Sequence, residues 1–247
     1  MVLSKALVFA SAGVLLAQVP EPQPKLELDH VWIAVSRNAP ERKALERAGF
    51  VISPDVNRHD GQGTASITAE FRNAFLELIW VDPAVPVAPG LERVAEKFGL
   101  RADWRASGWS PIGIGLRWLG PAQPLPVPSF AVTADWLPAG SSIVMLTPRD
   151  DAASPSLFIS PAALSDPAEQ AIRAARFHHP NGVHRVTAIR LLAPAKYQPI
   201  GAIAFLKNAG LLRTGTAEQW TMELTFDGGS QGKSSDLRPE LPLVIRY

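Results

Sequence analysis

A single carboxylate, Glu77, stands in the middle of the apolar run Asn73-Ala74-Phe75-Leu76-Glu77-Leu78-Ile79-Trp80-Val81. Large apolar residues at successive positions predict a strand covered on both faces. Side chains alternate across a sheet, so Phe75, Glu77, Ile79 and Val81 share one face and Leu76, Leu78 and Trp80 the other. A buried carboxylate costs several kcal/mol, as a rough order, unless it is paired or coordinated. Three arrangements meet that demand. The strand lies at an edge and Glu77 reaches water, or Glu77 pairs with an arginine such as Arg72 or Arg117, or it binds a cation.

The segments around this strand alternate in type. Leu26 to Val35 is apolar on both sides and predicts a central strand, with Leu28, His30, Trp32 and Ala34 on one face. Pro40 opens a short helix that Gly49 ends. Phe50 to Ile52 continues as an extended piece, His59 to Thr64 is a glycine-bearing turn, and Thr64 to Phe71 predicts a strand. Leu91 to Leu100 has helical spacing, Trp104 to Trp109 is aromatic and irregular, and Pro111 to Leu119 predicts a glycine-bearing strand. Residues 121–128 carry four prolines and predict a loop. Short strands follow at Phe130–Val132, Ile143–Leu146 and Leu157–Ile159. A helix capped by Ser165 or Asp166 runs to about Phe177. Strands at Val183–Ala193, Trp220–Phe226 and Leu241–Tyr247 flank a helix over Pro199–Ala209. A strand–helix–strands unit thus occurs at 26–82 and, shorter, at 183–247, with a degraded copy at 110–160. Leu76-Glu77-Leu78 and Met222-Glu223-Leu224 are the best match between copies.

The chain of 247 residues has a formal net charge of +1 and 19% charged residues, which gives no electrostatic footprint for nucleic acid. It has no cysteine, so disulfides, thiolate nucleophiles and soft metal sites are excluded. Residues 1–17 place one lysine before an apolar, small-residue run. Residues 18–25 are polar and proline-rich. That order predicts a signal peptide cleaved after Ala17, a linker, and export to a bacterial periplasm or the extracellular space, with no membrane association after removal. The apolar run is too short to span a bilayer as a helix.

Several motifs fail on inspection. Gly108-Trp109-Ser110-Pro111-Ile112 lacks the second glycine of a nucleophile elbow. Gly113-Ile114-Gly115 has Trp118 where a dinucleotide fingerprint needs a glycine, and Gly61-Gln62-Gly63 has no phosphate-loop lysine. The polar candidates that remain are His30, His59, Glu77, His178, His179, His184 and Glu223.

Leu28-Asp29-His30-Val31-Trp32-Ile33-Ala34-Val35, His59-Asp60-Gly61-Gln62-Gly63-Thr64-Ala65 and the Glu77 strand together resemble the glyoxalase-like branch of the vicinal oxygen chelate superfamily. His179-Pro180-Asn181-Gly182 and Glu223 to Gly229 resemble it as well. The resemblance implies an α+β fold in which βαβββ modules form cupped, mainly antiparallel mixed sheets with outer helices. It assigns 26–162 to a module pair whose second copy is degraded, and 163–247 to a C-terminal module. It further implies one His on the first strand and one Glu on the last strand of a module, repeated in the partner. His30 and Glu77 match the first pair and Glu223 the second, where His184 competes with Thr187 for the histidine position. The implied cofactor is a divalent metal (Zn, Ni, Fe or Mn) held by His30, Glu77, His184 and Glu223. Glu77 and Glu223 are then the catalytic carboxylates, and Trp32, His59 and Thr64 line the substrate site. Nitrogen and oxygen donors suit such an ion as a Lewis acid on a substrate oxygen. Two functions follow. One is a metal-dependent lyase, isomerase or dioxygenase for a small oxygenated substrate. The other is a metal-free protein that holds a small ligand in the same cup. A homodimer is a candidate assembly.

Overall fold

The computed structural model describes residues 25–247 apart from 135, 150, 152, 176 and 177. The expected signal peptide and nearly all of the linker lie outside the described residues.

The fold is α+β, with two mixed sheets, one of them strongly curled. Strand β1 (Leu26–Ala34) leads through helix α1 (Arg42–Arg47) to β2 (Asn57–His59), β3 (Thr64–Glu70) and β4 (Phe75–Val81). Helices α2 (Glu92–Ala102) and α3 (Trp104–Ser107) follow, then β5 (Ile112–Trp118), β6 (Phe130–Val132), β7 (Ile143–Met145) and β8 (Ser156–Ile159). These eight strands form one sheet in the order β2-β3-β4-β1-β5-β8-β7-β6. Each half is strung alike: its first strand pairs parallel with its last, β1 with β4 and β5 with β8. The halves join through the antiparallel pair β1–β5. No helix stands between β5 and β6, where the proline-rich loop runs instead.

The sheet curls until its edges approach. His59 on β2, at one edge, lies 5.2 Å between ring centroids from Trp136 in the β6–β7 loop at the other. The face that carries His59 is therefore the inner one. Helix α2 lies on that inner face, with Phe98 and Ala102 against Trp32, Ala34, Ile79 and Phe158. This departs from the expected placement of helices outside. Trp104–Ser107, expected to be irregular, is a short helix that Gly108 ends in the left-handed region.

The outer face packs against the second sheet. After helix α4 (Pro167–Ala174), capped by the Asp166 side chain, come β9 (Val186–Pro194), α5 (Gly201–Asn208), β10 (Arg213–Ala217), β11 (Thr221–Phe226), β12 (Ser234–Asp236) and β13 (Leu243–Arg246). Their order is β10-β9-β11-β13-β12, so here the first strand pairs with both β10 and β11. One core spans the two sheets, with Leu76, Leu78 and Ile114 from the first and Leu191, Met222 and Leu224 from the second. Phe50, Phe71 and Phe226 meet edge-to-face or tilted at their junction. The Asn73 amide, in the turn before β4, both donates to and accepts from the Val186 backbone.

His179 is a second clasp. Its Nδ1 accepts from the Val51 N–H at 3.0 Å, and its Nε2–H donates to the Glu70 carbonyl at 3.0 Å. The bond from Val51 requires the neutral ring, and burial pushes its pKa below the ordinary 6.5 against the bond to Glu70. The unfolded chain therefore takes the extra proton more readily. Stability from this group is complete above pH 6.5 and is lost as the pH falls from there through the folded value. Denaturant melts across this range are expected to show a lower midpoint in acid. His179→Phe, which leaves the Val51 N–H unpaired, is expected to cost roughly 1–3 kcal/mol at neutral pH and to flatten that acid dependence.

Candidate ligand site in the curled sheet

Register brings the polar residues together. In the parallel pair β1–β4, Trp32 stands opposite Glu77 and His30 opposite Phe75. On the other side of β4, Thr68 stands opposite Glu77 and Thr64 opposite Val81, and His59 pairs with Thr64. His30, His59, Thr64 and Glu77 therefore share the inner face. His30 Nε2 lies 3.9 Å from Glu77 Oε2, and His59 Nε2 lies 3.6 Å from Glu77 Oε1. The side chains are only 12%, 14% and 10% exposed for His30, His59 and Glu77, so the cluster is shielded from bulk water. Phe75 stacks on the His30 ring at 4.3 Å and Phe158 meets its edge at 5.2 Å. Trp136 stands against His59.

The two imidazoles differ in what holds their far nitrogens. His30 Nδ1 lies 2.6 Å from Asp29 Oδ2. Asp29 also accepts from Ser160 Oγ at 2.8 Å and faces Arg117 at 3.5 Å. Burial opposes the charge on His30, but the Asp29 bond and the charges of Asp29, Glu77 and Glu70 together raise its pKa above 6.5. Burial likewise opposes charge on Asp29, and His30, Ser160 and Arg117 outweigh it and hold that carboxylate low. His59 has no carboxylate on Nδ1. It lies 2.9 Å from Thr64 Oγ1, which accepts from the Gln62 amide at 2.8 Å. The order that satisfies each atom has Thr64 O–H donating to Nδ1, leaving Nε2–H toward Glu77. Burial lowers His59, with Glu77 opposing and His30 adding to the shift. One ring thus favours the cation and the other the neutral form.

Arg117, an expected partner of Glu77, instead binds Glu27 at 2.7 Å, Asp29, and the Asn73 carbonyl. Arg72 forms no ion pair with Glu77; its backbone N–H donates to the His184 carbonyl. Glu77 therefore faces two histidines. The other expected pair stands on the second sheet. Glu223 meets Arg246 at 3.0 Å and Arg190 at 3.4 Å, and exposed His184 faces Asp227 at 3.6 Å. These residues are not brought to His30 and Glu77. Trp32 is on the inner face beside them, buried under Phe98. Asp29, Phe158 and Trp136 belong to the site without having been expected there. So do the glycines of β5: a Cβ at Gly113 would fall 2.0 Å from the Trp32 ring, and one at Gly115 would fall 2.8 Å from His30 Cε1. Their signal in the sequence was the alternation Ile112-Gly113-Ile114-Gly115-Leu116, which leaves one face of a strand bare.

Nitrogen and carboxylate ligands of the expected metals converge at about 2.0–2.2 Å on one point. Here each imidazole faces a different oxygen of Glu77, and the inner positions of β5 and β8, Gly113, Gly115, Ser156 and Phe158, add no imidazole or carboxylate. Among the described residues no group of three or more His, Asp or Glu side chains is placed to hold an ion. The donors as arranged do not fit the metal that the resemblance implies.

Residues 28–115 match the family described as glyoxalase-like domain, a segment that includes His30, His59 and Glu77. A solved hypothetical protein from Staphylococcus aureus is similar over 89% of this chain and 98% of its own, with 10% identity and a TM-score of 0.49. No curated protein matches the chain.

The bare face of β5 yields a direct test. Gly115→Ala puts a methyl group into His30 and Phe158, and overpacking of this kind costs roughly 1–3 kcal/mol. The expected result is a lower denaturation midpoint together with displaced His30 ring resonances by NMR. An alanine here without effect on either would mean that the glycine does not set the ring's position.

Proposed function

We propose that this glyoxalase-like domain protein is an enzyme that moves a proton on a small oxygenated molecule, with Glu77 as the base. The observation that carries the reading is the pair of imidazole Nε2 atoms facing the two oxygens of one shielded carboxylate, at 3.9 and 3.6 Å. The substrate class is an α-hydroxy ketone or α-hydroxy aldehyde. Glu77 takes the proton from the carbon beside the carbonyl. The C–H electron pair becomes the new C=C bond, and the carbonyl π pair takes a proton from His30 Nε2–H to complete an enediol. Returning the protons at the neighbouring carbon gives the isomer, and no electrons are gained or lost. Asp29 orients His30 and sustains its positive charge; neutral His59 steadies the carboxylate.

Glu77→Gln keeps the shape and removes the base. In deuterated buffer the wild type is expected to wash deuterium into the exchangeable carbon position of α-hydroxy ketones. The variant is expected to be slower by roughly 10²–10⁴-fold, the usual contribution of general acid–base catalysis. Exchange that survives in Glu77→Gln would overturn the assignment.

A second reading, a binding protein without chemistry, has the low exposure of the cluster in its favour. It predicts ligand binding with no deuterium exchange in the wild type. Elemental analysis of purified protein separates both from a metal enzyme, for which stoichiometric Zn, Ni, Fe or Mn that is lost in Glu77→Gln would be the sign. The N-terminal order of charged, apolar and proline-rich residues supports export. Sequencing of the mature protein from its host is expected to begin near Gln18, and an intact Met1 would refute export.

A further inference from the structure

The inner face has an apolar half that the proton-transfer chemistry does not use. Along β4, Ile79 follows Glu77 on the same face, and along β1, Trp32 and Ala34 follow His30. With Phe158 they form a small buried cluster separate from the main core. Helix α2 is what covers it. Phe98 lies 5.3 Å from Trp32 between ring centroids and is itself only half-buried. Arg101 is the one fully buried side chain of this helix. It donates to the carbonyls of Ser110 and Ser154 and lies over the Trp32 and Trp109 rings. Burial pushes its pKa down to about 10, with Asp151 opposing the shift. So the C-terminal end of α2 is pinned by a cation, whereas its apolar side is lightly buried. Gly90 before α2 and Gly108 after α3 both take positive φ, and a Cβ at either would meet nothing within 4 Å. The cluster is thus covered by a helix fixed at its C-terminal end and held over the apolar residues by one half-buried ring.

We propose that Trp32, Ile79 and Phe158 form the subsite for the apolar body of the ligand, that α2 is its cover, and that Phe98 is the group the ligand displaces. The substrate class narrows accordingly, to a hydroxy ketone that carries an aryl or similar apolar group beside its oxygenated end. This narrowing rests on the acid–base reading of Glu77; the subsite itself does not.

Toluene tests the subsite without any carbonyl chemistry. Titrated into the full protein and followed by amide NMR, it is expected to shift residues of β1, β4, β8 and α2 around the cluster. Phe98→Ala removes the displaced ring, and since apolar cavities bind aromatic probes, affinity is expected to rise about tenfold. Ala102→Phe fills the space from the helix side and is expected to weaken binding, while Glu77→Gln leaves it unchanged. Absence of shifts at these amides, or no gain in Phe98→Ala, overturns the subsite. In deuterium exchange, 2-hydroxyacetophenone is expected to outrun hydroxyacetone by about tenfold in kcat/KM, with the preference lost in Ala102→Phe. Equal use of the two ketones overturns the role given to the apolar cluster. If toluene binds as expected and neither ketone exchanges, the acid–base reading falls and the subsite stands. If the ketones exchange and toluene does not bind, the subsite falls and the acid–base reading stands.

Discussion

Everything at the inner face depends on β1 being shared. It pairs parallel with β4 and antiparallel with β5, so the two halves of the curled sheet meet along one strand. Any inward side chain of β1 is therefore flanked by both halves. His30 sits between Phe75 of β4 and Phe158 of β8. A curled sheet has less room inside than outside, and large rings on the central strand need a neighbour without side chains. Gly113 and Gly115 supply it, as the 2.0 and 2.8 Å approaches of their virtual Cβ atoms show. The strand keeps its outer face through Ile112, Ile114 and Leu116, all fully buried in the main core.

The second constraint is where the buried cation goes. Arg117 stands past the inner glycines at the end of β5 and is satisfied there by Glu27, Asp29 and the Asn73 carbonyl. A buried guanidinium paired in this way is not available to Glu77. Asp29 adjoins His30 in the chain and reaches its Nδ1, so the same carboxylate that holds Arg117 also biases the ring on the inner face. That shared carboxylate separates the two imidazoles. His30 is tied to a charge, and His59 to a hydroxyl. Pairs of titratable groups whose surroundings push them apart are the raw material of acid–base division of labour.

The strands of the first sheet were legible because periodicity and two-sided burial are local properties. The alternation in Phe75 to Val81 placed Glu77 and Ile79 on one face and Leu76, Leu78 and Trp80 on the other, and the two apolar clusters divide along that line. The meeting of His30 with Glu77 was legible through resemblance. His59 as a neighbour of Glu77 was not, because it follows from the β2–β3–β4 register and the curl that no short window carries. Glu223 misled for a related reason. Met222-Glu223-Leu224 copies Leu76-Glu77-Leu78 locally, yet Glu223 stands on the second sheet and is paired with Arg190 and Arg246 instead of histidines. β10 and β12 escaped because short, exposed strands have little apolar pattern. The inner position of α2 escaped because its buried anchor is an arginine, and apolar spacing alone does not say which face of a sheet a helix will choose.

The segment that matches the glyoxalase-like domain is tied to the rest of the chain, and the Asn73 amide makes the first link. It lies in the tight turn feeding the Glu77 strand and saturates both hydrogen-bonding groups of Val186, far along the chain. Gln170 does the reverse, donating to the Phe71 and Ala74 carbonyls of that same turn. Without the C-terminal sheet and α4, the Asn73 amide and the Phe71 carbonyl beside the Glu77 strand would lose these partners. The turn that feeds the inner face is thus fixed from outside it, and the placing of Glu77 is a property of the whole chain, not of the first sheet alone.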